Sequence, residues 1–135
     1  MIQRLIRLAM EARLNAYTPY SNFTVGAALL TTDGTVFTGC NVENAAFTPG
    51  NCAERTAVFK AVSEGYKEFE QIAIVGGKKG EQPKEYCSPC GVCRQVLVEF
   101  ADPKTFQVII AKSEEDYQVY RLEDLLPLSF GPESL

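Results

Sequence analysis

The chain has no histidine at all. That absence removes every mechanism that needs an imidazole as acid, base or relay. Long apolar runs are missing as well, and nothing approaches the roughly 18 residues that a membrane span requires. The first residues, Met1-Ile2-Gln3-Arg4-Leu5, alternate charge with apolar side chains and show no continuous apolar stretch of the secretory kind. No repeat or low-complexity tract interrupts the sequence. Positive charge is also scarce, with 13 Lys and Arg against 17 Asp and Glu, a net charge of −4. The longest basic stretch is Lys78-Lys79, followed closely by Glu81. A protein that grips a phosphate backbone normally presents a basic face. Nucleic acid is therefore disfavoured as a partner, a membrane is not expected, and a small substrate of little charge fits better. A reducing, cytoplasmic location is the default expectation.

What the chain does have is room for one real core and five cysteines. Its 135 residues, 46% hydrophobic, read as one domain over 1–135. In a reducing compartment a disulfide framework is disfavoured, and an odd number of thiols argues against complete pairing. Metal binding is the better reading for at least three of them.

Hydrophobic spacing at Ile2, Leu5, Ile6, Ala9 and Ala12 predicts a helix over 2–16, ended by Thr18-Pro19. Stretches 23–31 and 36–42, joined through Asp33-Gly34, read as a hairpin. Both strands are apolar on both faces, which implies a sheet covered on two sides. Residues 44–51 read as a loop with Pro49-Gly50 at its corner. Residues 52–63 are helical, with Gly65 as the stop. A short buried strand is expected at 72–75 and a polar loop at 76–87. A helix should open at Ser88-Pro89, with Ser88 as its cap. Strands at 106–111 and 117–120 and a short helix at 122–126 complete the series. The order predicts a three-layer α/β/α sandwich around a mixed five-stranded sheet.

Two cysteine groups stand out in this framework: Cys52-Ala53-Glu54-Arg55 and Pro89-Cys90-Gly91-Val92-Cys93. Residues three apart share a helix face, so Cys90 and Cys93 can bite one ion. Cys52 would begin its own helix, and positive helix ends favour the thiolate that a metal requires. Three thiolates can hold zinc and leave its fourth position for water, whose pKa the metal lowers. Glu54, two residues from a ligand, is the candidate proton carrier. Arg55 and Arg94 are candidates to hydrogen-bond the ligand sulfurs and draw off their charge. Other readings stay open at this point. Cys90 and Cys93 could be a redox dithiol, and Cys87 or Cys40 could close a purely structural four-sulfur site.

C-A-E followed by P-C-x-x-C resembles the zinc-dependent nucleoside deaminases, in the form that the small cytidine deaminases show. The likeness extends through residues 20–28, 39–46, 51–57 and 88–95 and to Leu125-Leu126-Pro127 with Phe130, roughly residues 10–130. The resemblance implies a zinc-dependent hydrolytic deaminase of cytidine and 2′-deoxycytidine, working in pyrimidine salvage. It implies one zinc per subunit on Cys52, Cys90 and Cys93, and Glu54 shuttling protons to ring N3 and the 4-amino group. The N–H of Ala53 would hold the base carbonyl and the C=O of Ser88 the amine. Asn41 and Glu43 would hold the ribose hydroxyls. Phe23 would pack on the base, and Phe130 on its other side from a neighbouring subunit of a homotetramer. Asn and Glu two apart at a strand end point to one side, which suits a diol, and Glu43 would repel a 5′-phosphate.

Two positions depart from that family's pattern. Phe47 stands where tyrosine is common, and Cys87 is an additional thiol. Phe47 motivates an alternative, a deaminase of a modified cytosine nucleoside or a nucleoside antibiotic. The remaining alternatives are a non-catalytic zinc-stabilised binding protein and a thiol oxidoreductase.

Overall fold

Burial runs almost unbroken along the two central strands, so neither face of the sheet is left open. The computed structural model describes residues 1–135. Strands β1 (Phe23–Thr31), β2 (Val36–Cys40), β3 (Phe69–Lys78), β4 (Gln107–Ala111) and β5 (Tyr117–Arg121) form one sheet in the order β2-β1-β3-β4-β5. Only β3 and β4 run parallel; the other neighbours are antiparallel. Helices α1 (Ile2–Ala12), α2 (Ala53–Ser63), α3 (Gly91–Phe100) and α4 (Leu122–Leu125) flank it. On one face Ala28, Leu30, Ala73, Val75, Ile109 and Ala111 pack against Leu5, Ile6 and Ala9 of α1. On the other, Ala27, Leu29, Ile72, Ile74, Val108 and Ile110 meet α2 and α3. Each strand sends successive side chains to opposite faces, so three layers follow from the two-residue period. The predicted three-layer α/β/α sandwich with a mixed five-stranded sheet is the observed architecture.

Several boundaries differ from those expected of the sequence. The 2–16 helix is regular only to Ala12, with a 3₁₀ turn over Arg13–Asn15. Strand β3 is longer than 72–75, because β1 pairs with it from Phe23↔Lys78 to Thr31↔Phe69 and carries glycines and polar residues into the ladder. Strand β2 ends at Cys40, and beyond it Val42 makes only isolated bridges to Tyr17 and Asn51. The second of these exchanges two hydrogen bonds, Val42 N–H to Asn51 O at 3.0 Å and the reverse at 2.9 Å, so the 43–50 loop is tied at its root. Helix α3 begins at Gly91, with Cys90 as its N-cap in extended geometry, so Ser88 is not the cap. Arg94 holds Ser88 and Pro89 outside the helix, with Nη2 on Ser88 Oγ and Nε on Pro89 O, both at 2.7 Å.

Both helical layers approach the sheet where it has no side chain. A Cβ at Gly26 would lie 1.9 Å from Ala9 O of α1. One at Gly39 would lie 2.5 Å from both Ala53 O and Ala57 N of α2. Backbone meets backbone there, so a methyl group can be accommodated only by moving the helix. The connection between α1 and β1 is secured by the buried Arg13, whose guanidinium donates to Thr24 Oγ1 (3.1 Å), Glu81 O (3.1 Å) and Lys78 O (3.0 Å). It thereby also anchors the loop that follows β3.

Gly39→Ala is expected to lower stability by about 1–3 kcal/mol, the usual cost of overpacking, read from the midpoint of urea unfolding. A second expectation concerns the β1–β2 turn. The Asp33 carboxyl lies below the usual carboxylate range because it accepts from the Thr31 hydroxyl (2.5 Å) and the Thr35 N–H (3.1 Å). A depressed carboxyl stabilises the fold above its unfolded pKa, and this contribution fades as pH falls through the lower folded value. Asp33→Asn should therefore flatten the decline of Tm as pH falls below about 4, the ordinary carboxylate value, measured by thermal melts down to about pH 2.

Candidate metal centre and active site

Two helix starts meet at one end of the sheet. Cys52 is the N-cap of α2 and Cys90 the N-cap of α3, both in extended backbone geometry. Cys93 lies in the first turn of α3 and is fully buried. The sulfur atoms of Cys52 and Cys90 are 3.9 Å apart, and those of Cys90 and Cys93 are 3.6 Å apart. All three lie within 4.8 Å of one another. A tetrahedral zinc with bonds of about 2.3 Å places two of its sulfurs about 3.8 Å apart. The spacing therefore fits one zinc ion, and the donor set is the all-thiolate kind that zinc favours. Neither Cys87, Cys40 nor a carboxylate belongs to this cluster. Cys87 instead lies over Gly76 against the hydrophobic core, and burial pushes its thiol up to about 11.

Glu54 sits in the first turn of α2 with 5% of its surface exposed. Burial drives its carboxyl up to about 7, with the charge on Cys52 acting in the same direction. An acid in that range can give and take a proton near neutral pH. Arg55 extends its Nη2 to Cys52 Sγ at 3.4 Å, while its Nε is buried without a partner. Hydrogen bonds from Cys93 and Arg55 pull Cys52 down to about 5, whereas Cys93 rises because it donates to Cys52.

Arg94 does not reach a sulfur, contrary to expectation. One residue after Cys93, it points roughly 100° around the helix from that ligand. Arg55 is three residues after Cys52 and shares its face. Besides its bonds to Ser88 and Pro89, Arg94 donates to Leu125 O at 2.6 Å and ties the metal-side loop to α4.

A cleft of about 480 Å³ opens beside Cys52 and Arg55, with Asn41, Glu43, Phe47 and Asn51 on its walls. Asn41 works as a piece of backbone, accepting from Val25 N–H and donating to Phe23 O, both at 2.9 Å. Glu43 Oε1 accepts from the backbone of Tyr20 (3.0 Å) and Ser21 (3.1 Å), and Oε2 accepts from the Ser21 hydroxyl. Phe23 is partly exposed and lines not this cleft but a second depression with Gly76 and Gly77. Ala53 is the first residue of α2, where a backbone N–H has no acceptor within the helix. Ser88 is exposed at the approach to α3. Phe130 does not line the cleft of its own chain; it is exposed, and its C=O accepts from Gln95 Nε2 at 2.7 Å. Sequence reasoning missed the roles of Ser21 and Gln95, whose polar side chains lie in no catalytic motif.

A paired-helix, all-thiolate metal centre on a three-layer sandwich defines the class. Residues 1–109 match the family model for the cytidine and deoxycytidylate deaminase zinc-binding region, and the chain belongs to that family. It is 45% identical over 134 residues to a cytidine deaminase of Sporosarcina psychrophila, covering 99% of this chain and 94% of that one. A cytidine deaminase of Halalkalibacterium halodurans is 46% identical over 133 residues, covering 98% and 96%. The crystal structure of a cytidine deaminase from Burkholderia pseudomallei superposes with a TM-score of 0.84 at 50% identity, covering 94% of this chain and 97% of that one.

Metal analysis separates ligands from bystanders. Cys90→Ser is expected to drop zinc well below one per chain, whereas Cys87→Ser should leave it near one. Loss of zinc in Cys87→Ser would identify a four-sulfur site instead.

Proposed function

We propose that this chain catalyses the hydrolytic deamination of cytidine and 2′-deoxycytidine to uridine and 2′-deoxyuridine, with release of ammonia. The observation that carries this reading is a buried carboxyl, Glu54, set against a three-cysteine cluster at the edge of the cleft that also holds Asn41 and Glu43. Cys52, Cys90 and Cys93 would hold the zinc, which would supply the Lewis acidity that makes a water nucleophilic near neutral pH. Glu54 takes the proton from that water and delivers it to ring N3 as oxygen adds at C4. The carboxyl then carries the second proton to the 4-amino group, and the C4–N bond breaks to release ammonia. Burial tunes Glu54 for both transfers, since its pKa near 7 lets it act as base and then as acid.

Substrate contacts follow from the neighbouring groups. The N–H of Ala53 holds the base carbonyl, and the C=O of Ser88 accepts from the amine. Phe23 packs on the base. Asn41 and Glu43 keep hydrogen-bonding capacity beyond their internal partners and take the sugar hydroxyls. Glu43 is held ionised by the Ser21 hydroxyl, which favours a neutral nucleoside over a 5′-phosphate. Arg55 draws charge from the sulfur of Cys52, and Arg94 holds the loop that bears Ser88 and Cys90.

The chain acts as a single domain and assembles as a homotetramer, in which Phe130 of one copy covers the base in another. Exposed Phe47, Leu128 and Phe130 support such an assembly, since large apolar side chains gain by burial between subunits. No helix is long and apolar enough to cross a membrane. A cytoplasmic place in pyrimidine salvage is part of this proposal.

Glu54→Gln tests the reading most sharply. It should retain about one zinc per chain and lose about 10²- to 10⁴-fold in kcat on cytidine, the range for a general acid–base group. The assay follows loss of cytidine absorbance, with metal content measured on the same sample. Full activity in this variant would sink the proposal.

A further inference from the structure

The residues assigned to the sugar are themselves held by a small hydrogen-bonded frame, and one member of it has no role so far. Ser21 lies in the turn before β1, next to Asn22, whose φ of 59° places it in the left-handed region. This turn is closed by Asn22 N–H to Thr18 O at 3.0 Å and by Lys79 N–H to Asn22 O at 2.9 Å. The Ser21 hydroxyl oxygen accepts from Phe23 N–H at 3.0 Å. Its single proton goes to Glu43 Oε2. Tyr20 and Ser21 add their backbone N–H groups to Glu43 Oε1. Three donors from two consecutive residues thus meet one carboxylate, leaving it little rotational freedom.

The orientation of the hydroxyl is itself determined. A serine has one proton and two lone pairs. With the Phe23 N–H occupying a lone pair, the proton is free to serve Glu43. The carbonyl of the same Phe23 is held by Asn41. The wall intended for the base and the two groups intended for the sugar are therefore parts of one frame.

We propose that Ser21 is a positioning residue for sugar recognition, fixing the Glu43 carboxylate so that its remaining lone pairs face a hydroxyl of the bound nucleoside. This rests on the assignment of Glu43 to the sugar made above. Removing the hydroxyl leaves Oε1 on its two backbone donors and frees Oε2, so the plane of the carboxylate is less firmly fixed. Affinity for the sugar then falls, while the distant chemistry at Glu54 continues unchanged.

The test uses the full-length zinc-loaded protein with cytidine and 2′,3′-dideoxycytidine, which lacks both ring hydroxyls. Ser21→Ala is expected to raise KM for cytidine by about three- to tenfold, within the range of an ordinary net hydrogen bond, since the hydroxyl acts on the sugar only through Glu43. KM for the dideoxy analogue should change by less than about twofold, and kcat should stay within about twofold for both. Ser21→Thr, which keeps the hydroxyl, should restore the wild-type KM for cytidine. An equal rise of KM on both substrates would overturn the proposal, because it would reveal a general loosening of the turn. An unchanged KM for cytidine would overturn it too, and would leave the deaminase reading intact. A wild type that does not distinguish the two substrates would remove the sugar role of Glu43, and this inference with it. Should Ser21→Ala fail to fold, Ser21→Cys replaces it, with the same pair of KM values deciding.

Discussion

The seating of α2 on β2 determines where the reactive groups stand. At Gly39 the helix backbone touches the strand backbone, with no room for a methyl group. Cys52 is the cap of that helix and Glu54 lies in its first turn, so the same contact places a metal ligand and an acid together. Helix α3 is brought up from the other direction. Arg94 grips the loop before it and the end of α4, so Cys90 and Cys93 arrive at the sulfur of Cys52. Two helix N-termini then face one small volume, and their dipoles favour the thiolate charge gathered there.

Electrostatics within that volume follow from burial. Glu54 is nearly sealed from water, and this alone makes its charged form costly. Arg55 offsets part of the negative charge by reaching Cys52. With no histidine in the chain, the carboxyl is the group near the sulfurs suited to proton transfer close to neutrality. Its pKa is a product of position on the helix, since a glutamate on the outer face of α2 would keep ordinary carboxylate behaviour.

The sandwich could be read from the sequence because Ala27, Leu29 and their neighbours on β1 are apolar on both faces, which only a doubly covered strand permits. The cysteine spacing and the adjacent glutamate mark the metal centre, because a three-residue step at the start of α3 brings Cys90 and Cys93 together and the start of α2 sets Glu54 beside Cys52. Resemblance to the deaminases extended the reading to Asn41, Glu43, Phe23 and Phe130. What the sequence concealed depends on side chains that imitate backbone or grip it. Ser88-Pro89 has the composition of a helix start, yet α3 begins only at Gly91 because Arg94 holds that pair outside the helix. Gly76 and Gly77 have the composition of a loop, yet β3 extends through them because β1 supplies a partner. The direction of Arg94 required knowledge of which side of α3 faces the sulfurs.

The tie between Val42 and Asn51 has a bearing on how such a molecule can diversify. Because the chain is pinched at that point in both directions and Glu43 is fixed to the preceding turn, the stretch 44–50 beyond it is the part free to vary. Additions or deletions inside it need not propagate into the strand on one side or the helix on the other. Selection can therefore reshape one rim of the cleft, and with it the range of molecules admitted, while the inherited chemistry beneath stays intact.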